Sequence, residues 1–394
     1  MPIDDYAKMI STLVDADVRD MFSMLETMVN MDSGSADVDD VNALGDYLVD
    51  RLAALGATIQ RFPQKNAGFP LAGTFLPPDA GPETRRILLV GHRDTVFPSG
   101  TAATRPFSQN GQNSYGPGVS DMKGGIVAGY FALKTLLALQ DKTGPLPLEA
   151  LFTSDEEIGS AASGPVIVER CRTAKAAFFL EPARPNGALV IGRDGGDLFR
   201  IDVRGKAAHA GNNFPDGISA VNALASVVTA FAALSDDPGG MNVNVGIIGG
   251  GSGAIIVPDH AWALVSTRFS TIEQRAFLLD HIRTIVRDNN GNGISIAMSD
   301  PVGFLPFREN EDNKAMFALV REAGGVFDLD LAGVTTGSGA DAGLASSNGV
   351  PTICGMGPIG GNLHTDKEFM VSASLPERTK VLALSILLAS RRFS

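Results

Sequence analysis

Over residues 5–30 the apolar positions Ile10, Leu13, Val14, Val18, Phe22 and Leu25 recur at helical spacing and predict an amphipathic helix. A second helix is predicted over 38–55, stopped by Gly56. ATIQRF then reads as a strand, and RILLV, just before Gly91, as a buried one. GGIVAGYFALKTLLALQ, opened by Gly124 and Gly125, has the pattern of a long amphipathic helix. LPLEALFTSDEE predicts a strand and turn, and AKAAFFLEP a short apolar strand ending in an acid. This strand–helix alternation predicts a mainly parallel sheet with helices on both faces.

The pattern changes after about residue 193. LFRIDVRG alternates with period two, and a helix is predicted from about Gly217 to Leu234. MNVNVGIIGG and AWALVSTRFS are strand-like, TIEQRAFLLDHIRTIVRDNN is helical, and GISIAMSD closes as a strand. This β-α-β-β-α-β order is the ferredoxin-like signature. NKAMFALVREAGG and a C-terminal helix from about Leu375 return to the first pattern. The fold class expected is therefore α/β, with a catalytic domain over 1–193 and 307–394 and an inserted α+β domain over 194–306. The chain's 394 residues agree, since a single core rarely grows past about 250–300 residues.

Charge narrows the functional classes. The net charge is −12 and the pI about 4.9, which argues against a nucleic-acid partner and suits either solubility or divalent cations. Cys171 and Cys354 are too few for a disulfide framework or a thiolate metal site, and read as small buried apolar residues. Met1–Met31 show no basic stretch followed by an apolar one, and no apolar run reaches the roughly 18 residues of a membrane span, so a cytoplasmic location without a membrane partner is expected. Export to the periplasm by a leader outside this sequence stays open. GVSDMKGG does not match the phosphate-binding GxxxxGK[ST], which argues against phosphoryl transfer.

Polar residues gather at the carboxyl ends of the predicted strands, where α/β sheets bind ligands. His92 and Asp94 follow RILLV; Asp121 follows YGPGVS; Asp155, Glu156 and Glu157 follow ALFTS; Glu181 follows AAFFL; His364 lies in GPIGGNLHTDKE. A lone acid there is ordinarily a cap or turn residue. The combination is different, because two of only five histidines sit in glycine-containing turns beside these acids. Imidazole and carboxylate without thiolate suit Zn²⁺ or a similar ion, and two histidines with three acids fit two ions sharing one carboxylate. Asp94, two residues after His92, faces the same side of an extended backbone and is expected to accept the imidazole N–H and orient the ring. One of Glu156 and Glu157 would bind metal, leaving the other to take a proton from water.

GHRDTV, YGPGVSDMKGG, TSDEEIGS, FFLEP, GKAAHAG and GNLHTDKE resemble, in order over residues ~90–370, the motifs of one zinc hydrolase family. It contains the glutamate carboxypeptidases, acetylornithine deacetylases, succinyl-diaminopimelate desuccinylases and aminoacylases, and the texture is nearest the first. The resemblance implies two Zn²⁺, with Co²⁺ or Mn²⁺ as substitutes. Asp121 would bridge them, His92 and Glu181 would complete one ligand set, and Glu157 and His364 the other. It implies that Glu156 is the general base, that Asp94 clamps His92, and that Asp121–Met122 is a cis peptide. The inserted domain would serve as dimerisation and lid domain of a homodimer, with His209 reaching the partner subunit's site to stabilise the oxyanion. Arg268 would grip a substrate carboxylate, Arg193 is a weaker candidate for that contact, and Ser338 and Gly339 of TGSGAD would line the substrate pocket.

Two positions depart from the family pattern. Ile255 stands where an asparagine is usual, and Ser266 where an acid is usual. Both fall in the inserted domain, so they bear on substrate rather than metal. The cysteine typical of the hippurate-hydrolase branch is absent near Ser120 and Asp121. The expected function is hydrolysis of an amide in a small substrate with a free carboxylate, as a glutamate-carboxypeptidase-like exopeptidase. The alternative is an N-acyl-amino-acid deacylase of the acetylornithine deacetylase or aminoacylase type. A non-catalytic metal-binding scaffold would lack ligands, yet all five are present.

Overall fold

The computed structural model describes residues 1–81, 83–235 and 239–393. In chain order its main elements begin with α1 (Ile3–Val29), α2 (Val38–Ala54), β1 (Thr58–Arg61), β2 (Leu71–Phe75), β3 (Arg86–His92), β4 (Asn113–Tyr115) and α3 (Gly124–Ala138). There follow β5 (Leu148–Thr153), α4 (Gly164–Cys171), β6 (Ala174–Phe179), β7 (Gly196–Arg204), α5 (Ala220–Ala232), β8 (Asn242–Gly250) and β9 (His260–Arg268). The last are α6 (Ile272–Asp288), β10 (Ser295–Met298), α7 (Glu311–Val326), β11 (Thr352–Ile353), β12 (Phe369–Val371) and α8 (Ser374–Arg392). Two units emerge: Met1–Gly192 with Glu309–Thr336 and Ala340–Ser394, and Arg193–Arg308 with Gly337–Gly339.

The first unit is built on a six-stranded sheet of order β1-β2-β5-β3-β6-β11. β5, β3, β6 and β11 run parallel, whereas β1 and β2 add an antiparallel edge. β2 is the strand the apolar pattern does not announce, because LAGTF is short and contains glycine and alanine. All of β3 is buried, as a strand covered on both faces must be.

α3 corrects the sequence reading. It is apolar almost all round and not amphipathic in use, because α1 and α8 both pack against it. Lys134, its charged residue, reaches Asp17 of α1 at 2.7 Å. Gly125 is required by a close approach: a Cβ there would collide with the carbonyl oxygen of Leu180. The start of α3 therefore lies against the chain leading from β6 into Glu181.

The second unit is an antiparallel sheet of order β8-β9-β7-β10 with α5 and α6 packed on its core residues. Its chain order β7-α5-β8-β9-α6-β10 is the expected ferredoxin-like arrangement. In β9 Ala261, Ala263 and Val265 are buried while their neighbours are partly exposed, the alternation of a one-sided sheet. α5 starts at Ala220 rather than Gly217, because Phe214–Asp216 forms its own tight turn and Ser219 caps the helix on the Asn222 amide (3.2 Å).

The unit boundaries differ slightly from the sequence division. Arg193 pairs with Phe307 through two main-chain hydrogen bonds of 2.8 and 3.0 Å. Its guanidinium also binds the 338–339 loop, which draws Gly337–Gly339 into the second unit. No helix among the described residues is long and apolar enough to cross a membrane.

Candidate metal centre

The carboxyl ends of β3, β5 and β6 lie side by side in the first unit, with His92 in register with Thr153 and Val90 with Phe179. His92 ends β3, Glu156 and Glu157 sit in a single helical turn (Glu156–Ile158) after β5, and Glu181 follows β6. Adjacent parallel strands thus bring together residues from positions 92, 156, 157 and 181 of the sequence.

Asp121 stands at the centre. Its Oδ1 lies 3.1 Å from His92 Nε2, and the same nitrogen is 3.7 Å from Glu181 Oε1. Its Oδ2 lies 3.3 Å from His364 Nε2, which is 3.2 Å from Glu157 Oε2. The contacts therefore sort into two imidazole–carboxylate sets meeting on the two oxygens of one aspartate. His92, Asp121 and Glu157 also bring a ligand atom each within 4.8 Å of one another, so the two sets are contiguous.

The electrostatics explain why such a cluster suits a cation. Burial disfavours charge on His92, but Asp121, Asp94 and the nearby Glu156 and Glu181 raise its proton affinity well above the ordinary histidine value. Hydrogen bonds to Asp121 and Glu157 push His364 up to about 10. Burial would raise Asp121, yet the two histidines hold it far below the usual carboxylate range. Burial raises Glu157, opposed by His364. The acids thus demand positive charge at this point, and a divalent cation supplies it without protons. The all-oxygen-and-nitrogen donor set fits Zn²⁺ or a similar ion.

Glu156 belongs to neither set. It is buried, and burial together with Glu181, Asp341 and Glu157 raises its proton affinity well above the ordinary value, against the pull of His92. A carboxyl so placed beside a cation site is suited to proton transfer.

Asp94 holds more than the sequence reading assigned. The nearer acceptor for His92 Nδ1 is the Asp94 main-chain oxygen at 3.0 Å, while carboxylate Oδ1 is 3.6 Å away. The carboxylate instead accepts the Glu156 and Glu157 amides, both at 3.1 Å, and the Ser35 hydroxyl at 2.7 Å. It pins the acidic turn as well as facing the imidazole.

The main chain around Asp121 and His364 is unusual. The Asp121–Met122 peptide is cis, as the resemblance implies. Gly118 takes φ +71°, where a side chain would also meet Thr95. His364 itself has φ +62°, a left-handed conformation rare for a residue with a Cβ and concentrated at functional sites.

Several charged residues escaped the sequence reading. Arg93 is fully buried and donates to the main-chain oxygens of Val41 (2.9 Å), Phe152 (3.1 Å), Thr153 (3.2 Å) and Phe69; burial lowers it to about 10. Asp341 accepts the Ser160 hydroxyl at 2.5 Å, and burial pushes it up to about 7. Glu368 receives three amides of the Asp121 loop, and burial pushes it up to about 7 against their pull. Lys123 donates to the Met31 main-chain oxygen (2.9 Å) and is lowered by burial to about 8, with Glu368 opposing.

The remaining candidates lie in the second unit. His209, exposed, accepts the Gly211 and Asn212 amides on Nδ1, both at 3.1 Å. That assigns its proton to Nε2. Arg268 ends β9, is exposed, and donates to the Thr267 main-chain oxygen (3.2 Å). Arg193 is buried and commits Nη1 to Ser338 Oγ (2.9 Å) and the Gly339 oxygen (3.2 Å), so these three candidates contact one another. Ile255 is 68% exposed, and Ser266 lies opposite Asn244 in the sheet.

Residues 88–388 match the peptidase family M20/M25/M40. The chain is 28% identical over 371 residues to carboxypeptidase G2 of Pseudomonas sp., covering 92% of this chain and 88% of that relative. It is 30% identical over 252 residues to a putative succinyl-diaminopimelate desuccinylase of Mycobacterium tuberculosis, covering 61% of this chain and 66% of the relative. The crystal structure of an M20 family metallo-carboxypeptidase from Sulfolobus solfataricus shares the fold, with a TM-score of 0.74 over 94% of this chain and 99% of that one at 17% identity. The chain belongs to the peptidase family M20/M25/M40 and is a metal-dependent hydrolase.

Proposed function

We propose that this protein is a dizinc exopeptidase that cleaves the amide bond of a small substrate bearing a free carboxylate. The observation that carries the reading is the pair of imidazole–carboxylate sets meeting on the two oxygens of Asp121. His92 and Glu181 would hold one ion, Glu157 and His364 the other, with Asp121 shared; Co²⁺ or Mn²⁺ would serve in place of Zn²⁺. Such ions bring the pKa of water toward neutrality and polarise a carbonyl.

The chain's own groups do the rest. Glu156 accepts a proton from the attacking water on its carboxylate and delivers it to the amide nitrogen as the C–N bond breaks. Asp94 holds the Glu156 amide and so aims that carboxylate. His209, with its proton on Nε2, is a donor for the oxyanion that forms at the carbonyl. Arg268 offers a guanidinium to the substrate carboxylate, a group whose planar fork matches two carboxylate oxygens. Arg193 supports the pocket by holding Ser338 and Gly339.

Similarity to carboxypeptidase G2 over most of both chains supports carboxypeptidase action. The desuccinylase relatives support the deacylase alternative. A panel of N-acyl amino acids and α- and γ-glutamyl conjugates separates the two by the bond cleaved. We further propose a cytoplasmic homodimer in which His209 acts across the subunits; a monomer by sedimentation with full activity would remove the cross-subunit role.

The direct test is Glu156→Ala. Turnover should fall by at least the ~10²–10⁴-fold typical of general acid–base catalysis, with two ions per chain retained. Loss of the metal together with the activity would show that Glu156 is a ligand and not the base.

A further inference from the structure

Asp121 and His364 face one another from chain segments far apart in sequence, and something must hold those segments in register. The ladder between β4 and β12 does part of this, pairing Tyr115 with Phe369 and Ser114 with Met370. It stops there, because the chain turns at Gly116 and Gly118, both with positive φ. Beyond that turn the amides of Gly118, Ser120 and Asp121 are buried and need acceptors.

One side chain meets all three. Glu368, only 1% exposed, accepts the Ser120 and Asp121 amides on Oε1 at 2.8 and 3.0 Å, and the Gly118 amide on Oε2 at 2.9 Å. Its own segment is tied to the His364 turn. The Glu368 amide donates to the Thr365 oxygen at 3.2 Å, and the Thr365 hydroxyl to the Asn362 oxygen at 2.7 Å. We propose that Glu368 is a positioning residue that sets the Asp121 carboxylate against His364, and so fixes the separation of the two ligand sets. This rests on the dizinc reading above.

The chemistry of the carboxylate is specific to the task. Two oxygens with about four lone-pair directions take three N–H donors; a glutamine has one oxygen, and its NH₂ cannot accept. In Glu368→Gln either Gly118 or the Ser120–Asp121 pair must face a donor, and the loop carrying Asp121 shifts.

The test uses the full chain stripped of metal and titrated with Co²⁺, read by visible absorption and by stoichiometry, with thermal melting of the metal-free protein alongside. Glu368→Gln should weaken binding of at least one Co²⁺ by ~10–100-fold and change the absorption band, as loss of groups that orient metal ligands generally does. Glu368→Asp, whose shorter side chain keeps the charge, should fall between wild type and Gln. Should Glu368→Gln melt lower yet titrate with the wild-type spectrum and affinity, the residue is merely structural and the proposal is overturned. Wild-type protein that takes up no Co²⁺ would instead bring down the dizinc reading itself, and the proposal with it.

Discussion

Asp94→Asn tests how the acidic turn is held. Asp94 is fully buried and its carboxylate takes three donors: the Glu156 amide on Oδ1, and the Glu157 amide and Ser35 hydroxyl on Oδ2. An asparagine keeps one oxygen. With that oxygen toward Glu156, its NH₂ is accommodated by the Ser35 hydroxyl turning to accept, but the Glu157 amide loses its acceptor. With the oxygen toward Glu157, the Glu156 amide loses it. Either way one buried amide is left unpaired, at about 1–3 kcal/mol. At ~2–4 °C per kcal/mol for a domain of 150–250 residues, the metal-free protein should melt roughly 2–12 °C lower. Burial raises the Asp94 pKa, but His92, Ser35 and the Glu157 amide together bring it below its ordinary 3.8. The folded state therefore gains from its ionised form above that pH, and loses the gain as pH falls through the native value. Asp94→Asn should lack this part of the acid sensitivity. Because Glu156 and Glu157 both move with the turn, kcat/KM should drop ~10–100-fold. The assays are differential scanning calorimetry of stripped protein and steady-state hydrolysis. Wild-type melting with wild-type kcat/KM would refute the view that Asp94 pins the turn.

Other substitutions probe separate parts of the scaffold. Gly125→Ala should destabilise by about 1–3 kcal/mol, since its methyl collides with the Leu180 oxygen and forces α3 from the chain entering Glu181; a denaturant midpoint equal to wild type would contradict this. Arg93→Lys should lower the denaturant midpoint by more than any surface Arg→Lys change, because one ammonium cannot serve the oxygens of Val41, Phe69, Phe152 and Thr153. Cys171, pushed up to about 12 by burial, should resist a thiol reagent at pH 8 until the protein is unfolded. Its sign is opposite to that of Asp94: above pH 9 the unfolded thiol ionises and the folded one does not, so stability falls as pH rises.

Much of the site is written in local pattern. An apolar run ending in Gly-His marks β3, and acids following two further apolar runs mark β5 and β6, because a buried strand must be apolar and its polar residues then gather at its ends. The two elements of the pattern most misread are instructive. α3 keeps the helical period but is buried almost all round, and β2 is too short and glycine-rich to stand out. Both depend on neighbours that the local sequence does not contain. Glu368 is illegible for the same reason: within GNLHTDKE only His364 has a pattern that points to the site, and Glu368 becomes buried only because β12 pairs with β4 from far upstream. In TGSGAD the pattern points to Ser338 and Gly339, yet it is Asp341 that is buried against Ser160.

By itself the sequence determined the strand–helix alternation apart from β2, the ferredoxin-like insertion, the donor types and their lack of thiolate, since these follow from periodicity and side-chain chemistry. Only the tertiary structure decided which strands are neighbours, that Asp121 offers one oxygen to each histidine, and that the Asp94 carboxylate holds two amides of the acidic turn while its main chain meets His92. Those are matters of distance between residues remote in sequence, and they exist only once the sheet has aligned the ends of its parallel strands.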